Sequence, residues 1–206
     1  MTYIKLSCTI FTTFLLVSFP LYSSAAIIDF ESLSDSDTVT NQYSGLSFTN
    51  AITLSSGISL NELEFPPHSG TNVVSDNGGF LTIDFSSPVS SFGGFFTYAE
   101  ALTIKAFDSS NNLVASTSSL FTNNLALSGT AGSSPNEFLS VIFSGGISEI
   151  IIAGNPTGGS FVLDDLTYIA PTAVPIPPSG LLLLFGLFQM AFQFVRKNTH
   201  RLNNLS

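Results

Sequence analysis

Between residues 27 and 168 apolar side chains recur at every second position in short runs, with no sustained period near that of a helix. Such alternation gives an extended chain one apolar and one polar face, so it predicts strands. Ten runs qualify: 27–31, 46–50, 72–75, 80–85, 91–98, 102–107, 113–117, 137–143, 147–153 and 160–168. The pairs Gly78-Gly79, Gly93-Gly94, Gly145-Gly146 and Gly158-Gly159 each precede or open an apolar run and read as turns, because glycine tolerates positive φ. A phosphate-cradling glycine loop would need a helix behind it, and here strands follow. Asp108-Ser109-Ser110-Asn111-Asn112 reads as a hairpin loop, and the weakly patterned stretches 35–43 and 118–135 read as long polar loops. The expected fold class is all-β: an antiparallel β-sandwich of jelly-roll type, with Phe30, Phe48, Phe85, Phe96, Phe107 and Phe143 between two sheets. A closed barrel is the alternative.

Both ends of the chain break this pattern. Lys5, an apolar run over 6–17, Pro20 and then Ser23-Ser24-Ala25-Ala26 follow the charged, apolar, small-residue order of a secretory signal, which assigns 1–26 to a signal peptide. Residues 27–170 then form the ectodomain, 171–179 a Pro-rich linker, 180–195 a transmembrane helix and 196–206 a basic cytoplasmic tail. The sixteen residues of 180–195 would span about 24 Å as a helix, against a hydrocarbon core of roughly 30 Å. Pro177-Pro178 stops the helix from starting earlier, Gln189 and Gln193 share one of its faces, and Arg196-Lys197 obeys the positive-inside rule for an exported protein.

Charge is segregated in the same way. All fourteen acids lie between Asp29 and Asp165, where Lys105 is the one cation, so this segment carries −13. A charge of that sign repels phosphate backbones, which excludes nucleic acid as a partner class. The single cysteine, Cys8, lies in the signal, which removes disulfides, Cys-bound zinc and a cysteine nucleophile from the mature domain.

The C-terminal elements, Val174-Pro175-Ile176-Pro177, an apolar run over 181–195 and Arg196-Lys197, resemble the PEP-CTERM sorting signal of Gram-negative bacteria. The resemblance covers about the last thirty residues. It implies recognition by an exosortase-type processing protease in the inner membrane and, with it, a host that makes extracellular polysaccharide. The chain departs from that pattern at Ile176, where glutamate is common, at Gln189 and Gln193, and in a tail that continues to Ser206. The middle of the chain, from Ile28-Asp29-Phe30-Glu31 to Phe161-Val162-Leu163-Asp164-Asp165-Leu166, is similar to the galactose-binding-like jelly-roll ectodomains often attached to such signals.

Catalytic chemistry is thinly represented. His68, in Phe65-Pro66-Pro67-His68-Ser69-Gly70, is the only histidine of the domain, and no serine sits in a nucleophile-elbow pattern; the chain reads as a non-enzyme. The acids at the two ends of the domain say more. Asp29 and Glu31, two apart on an expected strand, share a face opposite Ile28 and Phe30, and Asp164 alternates with Val162, Leu166 and Tyr168 where an apolar residue is expected. A buried carboxylate needs a partner. Calcium suits carboxylates in an exported protein, and the resemblance implies the same, since jelly-roll carbohydrate-binding modules often hold a structural calcium between first and last strands. Asp29, Glu31, Asp164 and Asp165 are the candidate ligands. The alternative is that these acids are solvated or bonded to backbone amides beside a bulge.

The expected function is that of an exported cell-surface or matrix protein acting in adhesion or carbohydrate association. A structural matrix protein without a ligand, or an enzyme acting on extracellular polysaccharide, are the alternatives. With no tryptophan, and only Tyr43, Tyr98 and Tyr168 after the signal, few stacking surfaces for sugar are expected.

Overall fold

A computed structural model describes residues 25–170. The sorting-signal residues Val174, Pro175, Ile176, Pro177, Arg196 and Lys197, the expected span at 180–195 and most of the expected signal lie outside them. Among the described residues there are nine strands and no helix, and so no helix long and apolar enough to cross a membrane.

The strands are β1 (Ala25–Ile28), β2 (Leu46–Thr49), β3 (Ala51–Ser55), β4 (Asn72–Asn77), β5 (Leu81–Tyr98), β6 (Thr103–Phe107), β7 (Leu113–Ser118), β8 (Glu137–Ala153) and β9 (Gly158–Ile169). Every strand pair is antiparallel, in the order β3-β4-β9-β5-β8-β6-β7, with β1 added to β9 and β2 to β5. The order ends at β3 on one side and β7 on the other, which do not pair with each other, so the sheet is open and the barrel alternative does not hold.

Two long strands bend the sheet over its own core. The first part of β5 (Leu81 to Asp84) pairs with β2 and with the end of β8, while its last part (Ser91 to Phe96) pairs with the start of β8 and with β9. The register shifts around Val89 divide the two parts, and such irregularities are where a strand can bend. Leu81, Ile83, Ile104, Ile150 and Ile152 from one half meet Phe92, Phe96, Val141, Phe161 and Leu163 from the other in a single buried cluster. Burial of these side chains, at about 1.5–3 kcal/mol each, is what holds the two halves together.

The structure corrects the expected elements in several places. Runs 80–85 and 91–98 are one strand, as are 137–143 and 147–153; Ser86, Ser87 and Pro88 are exposed and the backbone passes through them. The pairs Gly93-Gly94 and Gly145-Gly146 are not turns but lie inside β5 and β8. A Cβ on Gly94 would come within 2.4 Å of the Leu163 side chain, so glycine there permits close packing. Of the six phenylalanines expected in the core, Phe30, Phe48, Phe85 and Phe96 are buried; Phe107 and Phe143 are half-buried, Phe143 against the core. The pairing of β1 begins at Ala25, opposite Ile169, two residues ahead of the expected ectodomain boundary.

Candidate functional site

The four acids singled out from sequence meet main-chain amides and hydroxyls. In the β5–β9 ladder Gly93 faces Thr167 and Phe95 faces Asp164, so β9 carries one extra residue, and Asp165 adopts φ 44°. That bulge brings two consecutive carboxylates to the loop 66–72. Asp164 Oδ2 accepts the His68 amide at 2.7 Å and the Ser69 amide at 2.9 Å, while Oδ1 accepts the Asp165 amide at 2.7 Å. Asp165 Oδ1 accepts the Ser69 hydroxyl at 2.9 Å, and Oδ2 lies 2.6 Å from His68 Nδ1. A carboxylate only accepts, so Nδ1 is the protonated ring nitrogen.

At the other end of the loop Glu31 Oε1 accepts the amides of Thr71 and Asn72 at 2.9 and 2.7 Å, and Oε2 accepts the Thr71 hydroxyl at 3.1 Å. Gly70 has φ +54°, and a Cβ there would fall 2.3 Å from Glu31 Cδ, so only glycine fits. Three of the four predicted acids therefore grip one loop. Asp29 stands apart: the expected shared face with Glu31 is not formed, because β1 ends at Ile28 and Phe30 turns to φ 60°. Asp29 Oδ1 instead accepts the Glu31 amide at 3.2 Å, as in a turn. Among the described residues no three His, Asp or Glu side chains are disposed to hold a metal, so the four acids do not form one group.

Asp164 is 1% exposed. Burial pushes its carboxyl up to about 6, against the lowering effect of the Ser69 and Asp165 amides and with a further rise from the Asp165 charge.

The gripped loop carries His68 onto the outer face of the sheet. The imidazole stacks on Phe95, ring centroids 3.4 Å apart and planes within 8°, and Phe95 meets Phe138 at 5.1 Å. Leu139 and Val141 point into the core, so the period of a strand turns Phe138, Ser140 and Ile142 outward. Register then sorts the face into three rungs. Phe95 and Phe138 form an aromatic rung beside His68; Ser140, Gly93 and Thr167 form a hydroxyl rung; Ile142 and Ile169 flank Ser91 in a mainly aliphatic one. Successive rungs lie about 7 Å apart along the strands.

At the centre of this face the Phe138 ring packs over Gly93, which is buried. A Cβ there would come 2.8 Å from Phe138 Cζ and 3.1 Å from Ser140 Cβ. An open groove beside it, about 310 Å³, is lined by Ile27, Gly93, Phe138, Ser140, Ile142 and Thr167 among others. Phe138 is 50% exposed and Ile142 76%. An aromatic edge beside aligned hydroxyls can take a flat ligand with an apolar face and a polar rim.

Serine chemistry has no support from the same residues. The Ser69 hydroxyl donates to Asp165, and so does the His68 ring; the serine is not bonded to the imidazole that would have to activate it.

No family model matches the chain, and no curated protein matches it. Among solved structures the chain is similar to the K2 cleaved adhesin domain of Lys-gingipain, with a TM-score of 0.47 and 15% identity over 70% of this chain and 99% of that one. It is also similar to the K1 cleaved adhesin domain of Lys-gingipain from Porphyromonas gingivalis, with a TM-score of 0.43 and 9% identity over 72% of this chain and 99% of that one. A third likeness is to the carbohydrate-binding module TmCBM61, solved with beta-1,4-galactotriose: TM-score 0.40, 14% identity, 69% of this chain and 94% of that one.

Proposed function

We propose that the chain is an exported, non-catalytic surface or matrix protein whose β-sandwich, of jelly-roll type, associates with carbohydrate through the three-rung outer face. The observation that carries this reading is the aromatic rung of His68, Phe95 and half-exposed Phe138 beside the open groove. Sugar rings present C–H faces to aromatic side chains and hydroxyls to polar neighbours, and this face supplies both. The sequence supports the rest: a signal ahead of the domain, and behind it the Val174-Pro175-Ile176-Pro177 element and Arg196-Lys197 that resemble a PEP-CTERM signal read by an exosortase-type protease at the inner membrane.

Two measurements test the proposal. Native electrophoresis of the full chain through gels holding different polysaccharides should show retardation, and Phe138→Ala should weaken it about tenfold, equivalent to about 1.4 kcal/mol. Phe138 is half exposed, so the variant should melt as wild type does; retardation unchanged in Phe138→Ala would remove the outer face from the function. For export, a reporter active only in the periplasm, fused after Ala170, should be active, and an inactive fusion would refute the topology.

A further inference from the structure

Resting on the carbohydrate reading above, we propose that the outer face selects a neutral polysaccharide whose sugars carry methyl-bearing groups, either 6-deoxy carbons or O-acetyl esters. Two independent features of the face point to this class.

The first is charge. The groove residues include no carboxylate, lysine, arginine or histidine, and the surrounding domain carries fourteen acids against Lys105. A uronate or sulfate polymer would approach a field of its own sign with no cation in the groove to receive it.

The second is the order of the rungs. Beyond the hydroxyl rung lies an aliphatic one, with Ile142 76% and Ile27 66% exposed and Ile169 beside them. A fully hydroxylated sugar laid along the face from the aromatic rung would set hydroxyls against these isoleucines, where Ser91 alone of the rung offers a hydroxyl in return. A methyl group in the same place buries apolar surface against apolar surface. A lipid chain or an apolar protein segment fits less well, because it would cover Ser140 and Thr167 without satisfying their hydroxyls.

The experiment uses the full chain in native gels holding one of four polymers: acetylated glucomannan, the same glucomannan after alkaline deacetylation, a rhamnose polymer, and alginate. The expected result is retardation by acetylated glucomannan or the rhamnose polymer, at least threefold weaker with the deacetylated polymer, and none by alginate. Ile142→Gln, a change at an exposed position, should abolish the difference between the acetylated and deacetylated polymers while the retardation common to both remains. Equal retardation by both glucomannans together with none by the rhamnose polymer would overturn the methyl preference, and retardation by alginate would overturn the neutral class; either leaves the carbohydrate reading standing. Failure of all four to retard the chain would sink that reading and the inference with it.

Discussion

Asp164→Ala should destabilise the fold by roughly 3 kcal/mol or more, and the loss should be larger in acid than at neutral pH. The substitution removes the acceptor of three part-buried amides, those of His68, Ser69 and Asp165, and a donor left unsatisfied away from water costs about 1–3 kcal/mol. The pH dependence follows from the direction of the carboxyl's shift. Its folded value, about 6, stands above the ordinary 3.8, so between those limits the folded state binds more protons than the unfolded one. The stabilising contribution is therefore fully present below 3.8 and is lost as pH rises through 6. In full it is on the order of 3 kcal/mol, of which about 1 kcal/mol separates pH 5 from pH 7.5. Urea melts of wild type and variant at those two values measure it; a penalty that grew with pH would contradict the assignment. Thermal melts read calcium. Calcium bound by these carboxylates would raise the wild-type Tm above its value in chelator, an increment that Asp164→Ala would abolish, and identical curves would leave the clamp to hydrogen bonds alone.

Asp164 stands out in the sequence because it breaks a period-two pattern, but the pattern misassigns its face: Leu163 and Leu166 lie in the main core and Val162 in a second small cluster, and the extra residue of β9 leaves Asp164 outside the main core, under the loop 66–72. Other parts of the fold hid for equally physical reasons. The strand β3 buries Ala51, Thr53 and Ser55 and leaves Ile52 and Leu54 half-exposed, so its apolar alternation points the wrong way. Phe138 escaped notice as a surface group because residues 137–143 have apolar side chains in both parities: Leu139 and Val141 took the core, and Phe138 and Ile142 were left outside. Only the register of β5 with β8, set by residues far off in the chain, decides between those choices. Nothing local in the sequence marks His68 as more than the single histidine of the domain. Its stacking on Phe95 depends on a bulge 97 residues away in sequence.

A second buried carboxylate, at a position the predicted strand 72–75 stops just short of, separates stability from binding. Asp76 is buried at the register shift between β4 and β9, where Oδ1 accepts the amides of Ser160 and Phe161 at 2.9 and 3.1 Å and Oδ2 accepts the Ser160 hydroxyl at 3.0 Å. Burial raises its carboxyl too, so its titration works in the same sense as that of Asp164. Asp76→Ala should then cost roughly 2 kcal/mol or more, for two amides at about 1–3 kcal/mol each. The two aspartates differ in what they hold. The partners of Asp76 lie at the start of β9, whereas those of Asp164 include the main chain of His68, whose ring forms part of the aromatic rung. At a temperature where both variants remain folded, Asp164→Ala should weaken retardation by a polysaccharide that retards wild type, and Asp76→Ala should leave it within twofold. Equal weakening in both would mean that the gels report general loosening of the domain, and the clamp on the His68 loop would lose its part in binding.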